Sequence, residues 1–271
     1  MRVAGAGLLA AAIAMILSAA VAVLDGGGGA RGLLLSALLT GLAGVALFFG
    51  SRVSATADSA LAFASVAWSW LAVSLAGSLP FLLTGVIPWG QFDNALFESI
   101  SGFTCSGSTI LVNFDAVPQG VLFYRSLTQW LGGMGLVVLA VAVLPALGIG
   151  GLDLIASEAP GPTADRLTLR VRDTARQLWL LYGAMTGALT LVLLTIGMSA
   201  FDAVTHAFTT ISTGGFSPHA ESIAYFDSFT IELILMVGML LSGASFSIHW
   251  HALRQGIGAY RRVSEVRWYL S

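Results

Sequence analysis

Charge is what this sequence has least of. Only 10% of its 271 residues are charged, while 56% are hydrophobic. A soluble domain carries about 25% charged residues, so the composition excludes one and leaves an integral membrane protein. Lysine is absent, and all twelve basic residues are arginine. The formal net charge of −2 decides little, because in a membrane protein the placement of charge matters more than its sum. Cysteine is nearly absent too: the single Cys105 excludes an internal disulfide and any multi-cysteine metal site. Histidine does not fill that gap, since His249 and His251 are two apart and face different ways on a helix, and His219 lies in an outer loop. No histidine sits on a neighbouring span at the depth of the serines at 99–108, so no nucleophile–base pair supports an intramembrane enzyme.

Long apolar runs are what the chain does have. A spanning helix needs about 20 mainly apolar residues, and six stretches qualify: 5–24, 33–50, 59–83, 121–147, 178–198 and 229–253. Met1-Arg2 opens the chain in the manner of a secretory leader, but the apolar run to Val23 is too long for one and more spans follow, so it reads as a retained helix. Asp25-Gly-Gly-Gly-Gly-Ala-Arg31 is a short polar turn joining the first two spans. Six spans put both termini, 51–58 and 148–177 on one side, with Arg2, Arg52, Arg166, Arg170, Arg172, Arg176, Arg254, Arg261, Arg262 and Arg267. The other side holds Arg31 and Arg125. Cytoplasmic loops carry the arginine excess, so both termini are expected in the cytoplasm.

Two stretches fit neither span nor ordinary loop. Phe97-Glu-Ser-Ile-Ser-Gly-Phe-Thr-Cys-Ser-Gly-Ser-Thr109 and His206-Ala-Phe-Thr-Thr-Ile-Ser-Thr-Gly-Gly-Phe-Ser-Pro-His219 lie between apolar runs yet turn small and hydroxylated. Each includes the end of an apolar segment too short to span, 93–103 and 201–211. Irregular backbone at membrane depth survives only where it is buried in protein or lines a water-filled path, and a ring of backbone carbonyls can replace a cation's hydration shell. The candidate ligands are the carbonyls of Thr104, Cys105, Ser106 and Gly107 and of Ser212, Thr213, Gly214 and Gly215. Gly107 and Gly215 tolerate dihedrals closed to other residues. Close helix packing through small residues accounts for either loop alone, but two loops matched in topology favour a filter. Sliding the chain by 108 residues aligns Ala95 with Ala203, Leu96 with Val204, Thr104 with Ser212, Gly107 with Gly215 and Thr109 with Ser217. Both units have one orientation, a parallel repeat about an axis along the membrane normal.

The expected fold is an all-α polytopic membrane protein: two leading helices in 1–52, then two repeats of helix, re-entrant pore loop and helix. The first repeat is 53–150 with its filter loop at 104–109, and the second is 177–256 with its filter loop at 212–217. Between them, 151–176 mixes acidic residues, arginines, Pro160 and Pro162 and reads as a cytoplasmic linker; 257–271 begins a link to a third repeat. Glu98 and Glu232 are acidic in or near apolar segments; Glu98 is placed either to bond the filter backbone or to add negative potential at a cation entrance, or is a satisfied structural carboxylate. Asp93 or Asn94, and Asp202, precede the short helices as N-cap candidates. Gln129-Trp-Leu-Gly-Gly-Met-Gly135 puts glycines into a span, either as a hinge or, the favoured reading, for close packing.

These strings resemble the TrkH branch of the Trk/Ktr/HKT superfamily of bacterial potassium transporters. The resemblance rests on Phe97 to Gly107, on Arg125-Ser-Leu-Thr-Gln-Trp-Leu-Gly-Gly-Met-Gly135, on Leu144-Pro-Ala-Leu-Gly-Ile-Gly-Gly151, on His206 to Ser217, on Leu240-Leu-Ser-Gly-Ala-Ser-Phe246 and on Arg267-Trp-Tyr269. The two leading helices separate the TrkH branch from the shorter Ktr branch. The family implies four helix–loop–helix repeats around a pseudo-fourfold pore, with K+ as the transported ion, held here at Cys105, Ser106, Thr213 and Gly214. Family members often have Thr where this chain has Cys105 and Ser106, a change that backbone ligation tolerates. It further implies a homodimer in the bacterial inner membrane, lipid around it, and a cytoplasmic nucleotide-binding regulatory subunit, TrkA-like. No cofactor and no nucleic-acid partner are expected. The chain reaches Ser271 where a third repeat should begin, so a second half or a complementing chain is expected as a partner. The competing reading is a non-conducting scaffold that keeps the fold.

Overall fold

A computed structural model of the chain describes residues 1–51, 59–143 and 163–256, together with 258, 260 and 264–269. Eleven α-helices run through the described residues, which contain no strand: α1 Arg2–Leu24, α2 Ala30–Gly50, α3 Ser59–Gly77, α4 Leu79–Leu83, α5 Phe92–Phe103, α6 Gln119–Val143, α7 Thr163–Thr195, α8 Ala200–Ile211, α9 Phe229–Gly243, α10 Phe246–Gln255 and α11 Ser264–Tyr269. The polytopic all-α architecture read from the sequence is the observed one.

Small residues set the helix spacing, as they do where lipid supplies no hydrophobic drive between helices. A Cβ on Gly5 would come within 2.6 Å of the Phe48 backbone nitrogen, so α1 and α2 touch main chain to main chain. Gly120 at the start of α6 lies as close to the Ser18 carbonyl, which seats α6 on α1. One buried cluster, with Met15, Leu33, Phe81 and Tyr124, joins the leading hairpin to α4, α5 and α6; a second, with Met134, Tyr182, Leu193 and Leu235, joins α6, α7, α8 and α9. The outgoing helix of the first repeat therefore serves both cores.

Among the described residues, four helical stretches are long and apolar enough to cross a membrane: Arg2–Leu24, Ala30–Gly50, Ala64–Leu83 and Asp173–Thr195. α6, 25 residues long, occupies the place of another expected span. The third span is interrupted at Ser78, one residue before the helix containing Pro80, which lacks an N–H for the ladder. α7 begins at Thr163, so the last part of the expected linker is the first part of a 33-residue helix; positions 144–162 lie outside the described residues.

The expected span 229–253 is not one helix. α9 and α10 meet at 94°, with Ala244 extended at φ −82, ψ 153 between them. Such a break strands the carbonyls at the end of α9. His249 answers this: its Nε2 donates to the Leu241 carbonyl at 2.7 Å while Nδ1 meets the Tyr260 hydroxyl at 2.7 Å. Its role is to hold the bend.

Two capping expectations are corrected. The N-cap of α5 is Gln91, which makes no side-chain cap bond; Asp93 sits inside the first turn and Asn94 donates to the Gln91 side chain at 3.0 Å. Ser199 caps α8 instead of Asp202: its Oγ accepts from the Asp202 N–H at 3.0 Å and donates to Asp202 Oδ2 at 2.7 Å. This is a side-chain variant of the capping box. It leaves Asp202 Oδ1 for His219 Nε2, at 2.8 Å.

Candidate functional site

α5 and α8 are both twelve residues long and lie 108 residues apart at each end. The chain then leaves them by the same route. In the first loop Thr104, Cys105 and Ser106 donate their N–H groups to the Ile100, Gly102 and Ser101 carbonyls at 2.9, 3.1 and 3.0 Å. In the second, Ser212, Thr213 and Gly214 donate to Phe208, Thr210 and Thr209 at 3.1, 3.0 and 2.8 Å. The left-handed residues coincide too: Cys105 and Thr213 both have φ 55, and Gly107 and Gly215 have φ 76 and 81. Sequence reasoning reserved that conformation for the glycines. A threonine there is an outlier, and strain of about 1–3 kcal/mol of this kind collects at functional sites.

The bonds that fold each loop onto its helix use N–H groups and leave the carbonyls over. Among the described residues no hydrogen bond takes the carbonyl oxygens of Thr104, Cys105, Ser106, Gly107, Ser212, Thr213, Gly214 or Gly215. In the first loop the run ends at Ser108, whose carbonyl accepts from Ser101 Oγ at 2.6 Å; in the second it ends one position later, at Ser217, whose carbonyl accepts from Arg125 at 3.1 Å. Polar backbone at this depth needs a partner, and a cation is what eight unpaired carbonyls can serve. The loops are neighbours, because a Cβ on Gly107 would overlap the Gly214 carbonyl oxygen. Next to them is a cavity of about 480 Å³ bounded by Thr104, Cys105, Ser212 and Thr213, with Tyr182, Ser242 and Phe246.

Behind the loops stands a buried charge pair. Glu98 on α5 and Arg125 on α6 are 0% and 1% exposed, with Nε to Oε1 at 2.7 Å. Glu98 also accepts from the Thr109 hydroxyl at 2.9 Å and from the Ile110 N–H at 3.1 Å. It thus bonds the Thr109 side chain and the backbone just past the first loop, and is satisfied structurally at once. Arg125 spends its other nitrogens on both loops, donating to Thr109 Oγ1 at 3.0 Å and to the Ser217 carbonyl at 3.1 Å. Its guanidinium lies 4.1 Å from the centre of the Phe216 ring. Counted by sequence as an outer-side charge, Arg125 is a buried clamp. In the second repeat the position of Glu98 is taken by His206 (98 + 108). Its Nδ1 donates to the Asp202 carbonyl at 2.9 Å, and Nε2 lies 3.4 Å from Ser217 Oγ. Glu232 is exposed in the first turn of α9, and no hydrogen bond among the described residues ties it to either loop.

The glycines of α6 do pack. A Cβ on Gly132 would overlap the Phe103 carbonyl oxygen, and one on Gly133 would come within 2.9 Å of Ser212 Cβ, so α6 rests against the ends of both short helices. Sequence reasoning missed Arg125 and Gln129 as filter residues. The available signal was an arginine and a glutamine four apart, on one helix face, inside a span.

Apolar helices, with no strand among the described residues, and two adjacent loops that leave twin short helices by the same N–H bonds and left-handed residues define a class: a polytopic membrane protein built from pore-loop repeats. The chain belongs to the TrkH family of cation transport proteins, whose family model matches residues 35–269. It is 47% identical over 194 residues to the Trk system potassium uptake protein TrkH of Halomonas elongata, covering 71% of this chain and 40% of that one. It is 44% identical over 210 residues to TrkH of Escherichia coli K12, covering 77% of this chain and 43% of that one. The crystal structure of the potassium transporter TrkH from Vibrio parahaemolyticus superposes with a TM-score of 0.84 at 35% identity, over 99% of this chain and 56% of that one. The chain spans about half the length of these relatives or less.

Proposed function

We propose that this chain contributes two of the four sides of a potassium-conducting filter in a bacterial inner membrane. The observation that carries the reading is the run of unpaired carbonyls, 104–107 and 212–215, set in two loops that share three N–H bonds to the same helix positions and the same two left-handed residues. The Cys105, Ser106, Thr213 and Gly214 carbonyls are assigned as K+ ligands. Relatives named as potassium uptake proteins support the choice of ion. Each oxygen replaces only part of the hydration shell, and two neighbouring loops close only part of a ring, so two further loops of the same kind complete the site. They come from further repeats, a complementing chain or a second copy. The arginine distribution supports a reading in which both termini are cytoplasmic and a TrkA-like nucleotide-binding subunit regulates a homodimeric assembly.

Rubidium uptake into liposomes tests the reading. Liposomes holding the purified chain alone are expected to show no selective flux, and those with two further filter loops supplied are expected to prefer Rb+ over Na+. Absence of flux with four loops present would overturn the pore. Selective flux from a single copy would overturn the need for a ring.

A further inference from the structure

Gln129, like Arg125, bonds both filter loops, and nothing in the reading above assigns it a task. It is 0% exposed within α6, where an amide must earn its desolvation through a partner. Its main-chain carbonyl accepts from Cys105 Sγ at 3.2 Å, which ties it to the first loop. Its side-chain Oε1 accepts from the Phe216 N–H at 3.0 Å, which ties it to the second. That bond also fixes the orientation of the amide, because a backbone N–H can only donate. Nε2 has no hydrogen-bond partner among the described residues. Room for the side chain exists because residue 214 is glycine: a Cβ there would overlap Gln129 Cδ and Oε1.

The consequence lies in one peptide plane. The Phe216 N–H and the Gly215 carbonyl belong to the same trans peptide, so they point in opposite directions. Holding the N–H against α6 turns the Gly215 oxygen away from α6. Gly215, at φ 81 with nothing within 4 Å of a built Cβ, has no steric barrier of its own to turning that peptide over. The position in register on α9 is Val237, which is 47% exposed and has no polar atom to offer. The strut therefore belongs to the boundary between the first and second loops.

We propose that Gln129 is a positioning residue that pins the Gly215–Phe216 peptide and thereby sets the ion selectivity of the pore. The proposal rests on the cation-pore reading for its selectivity half and on geometry alone for its pinning half, so two measurements separate them. Gln129→Met keeps the shape and removes the acceptor; Gly214→Ala keeps the glutamine and displaces it. Trp130→Phe is the control, because it removes one buried bond on the same helix, from Trp130 Nε1 to Thr186 Oγ1 at 3.1 Å, away from the filter. Hydrogen exchange of the reconstituted protein reads the pin directly. In both test variants the loop around Phe216 is expected to exchange at least about tenfold faster, the factor that losing one buried bond gives; in Trp130→Phe it is expected to stay at the wild-type rate. Unchanged exchange in Gln129→Met overturns the proposal, whether or not the protein conducts. In the four-loop assembly the Rb+/Na+ flux ratio is expected to fall about tenfold in both test variants and to hold in the control. A structural defect alone lowers both fluxes together, so a preserved ratio overturns the selectivity half. No flux from the wild-type assembly is instead a failure of the pore reading.

Discussion

Removing the Arg125 guanidinium should cost more than any single bond it makes, and the cost should shrink when its partner is neutralised too. Glu98 is fully buried, and Arg125 is its only basic partner among the described residues, at 2.7 Å. Arg125→Met leaves an uncompensated carboxylate in a low-dielectric interior, a loss of about 3–5 kcal/mol for breaking a buried pair. The bonds to Thr109 and to the Ser217 carbonyl, at 3.0 and 3.1 Å, go with it, adding about 1 kcal/mol each. In Glu98→Gln/Arg125→Met the buried charge is gone, and a neutral replacement of a buried pair is often close to isoenergetic. The double variant should therefore be more stable than Arg125→Met alone by about 2 kcal/mol or more. Arg125→Lys should fall between wild type and Arg125→Met, because an ammonium keeps the charge but lacks the planar fork that reaches three acceptors. Apparent melting midpoints of the detergent-solubilised proteins, followed by size-exclusion chromatography after heating, rank the four. A double variant less stable than Arg125→Met would refute the argument, since the penalty would then not come from the stranded carboxylate.

Two further outcomes follow from the loops and the helix behind them. Cys105→Thr should conserve Rb+ flux in the four-loop assembly, because Thr213 already occupies the matching position at φ 55; Gly107→Ala should abolish it, since its Cβ is penalised at φ 76 by about 1–2 kcal/mol and overlaps the Gly214 oxygen. Equal flux from the two variants would refute this. Gly132→Ala should lower the yield of folded protein by forcing α6 off the Phe103 carbonyl, an overpacking cost of about 1–3 kcal/mol, whereas Gly183→Ala on α7 meets nothing within 4 Å and should not. Size-exclusion profiles after membrane extraction decide it, and equal profiles would count against the close approach.

The leading hairpin, the spans ending at Leu83 and Thr195 and the twin short helices at a fixed offset of 108 residues were legible because they rest on apolar run length and repetition, which single residues barely disturb. The loops were legible for the same reason, since Gly, Ser and Thr crowded between apolar runs have few alternatives at membrane depth. What stayed hidden depended on a partner distant in sequence. Arg125 looks like a loop arginine until α5 and α6 are packed and Glu98 comes within 2.7 Å. Gln129 looks like part of a glycine-rich packing string until Phe216, 87 residues on, is placed beside it. The break after Gly243 was missed because hydropathy registers that residues are apolar, not that Ala244 is extended and that His249 caps the freed Leu241 carbonyl.

The two repeats also show which features of a filter the fold must keep and which it can vary. Between loops the side chains change at nearly every position: Cys105 becomes Thr213, Ser106 becomes Gly214, Ser108 becomes Phe216, and Glu98 behind them becomes His206. The backbone does not change, with three N–H bonds to the same helix positions and the same two left-handed residues in each. If the side chains carried the ion, such divergence would give two unlike half-sites. With the carbonyls as ligands it leaves the inner face of each loop alike, and the differences collect on the outer face, where Arg125 and Gln129 reach across from one repeat to hold the other. Support for the second loop thus comes partly from the first repeat, so substitutions at Arg125 or Gln129 are expected to disturb 212–217 although both residues lie on α6.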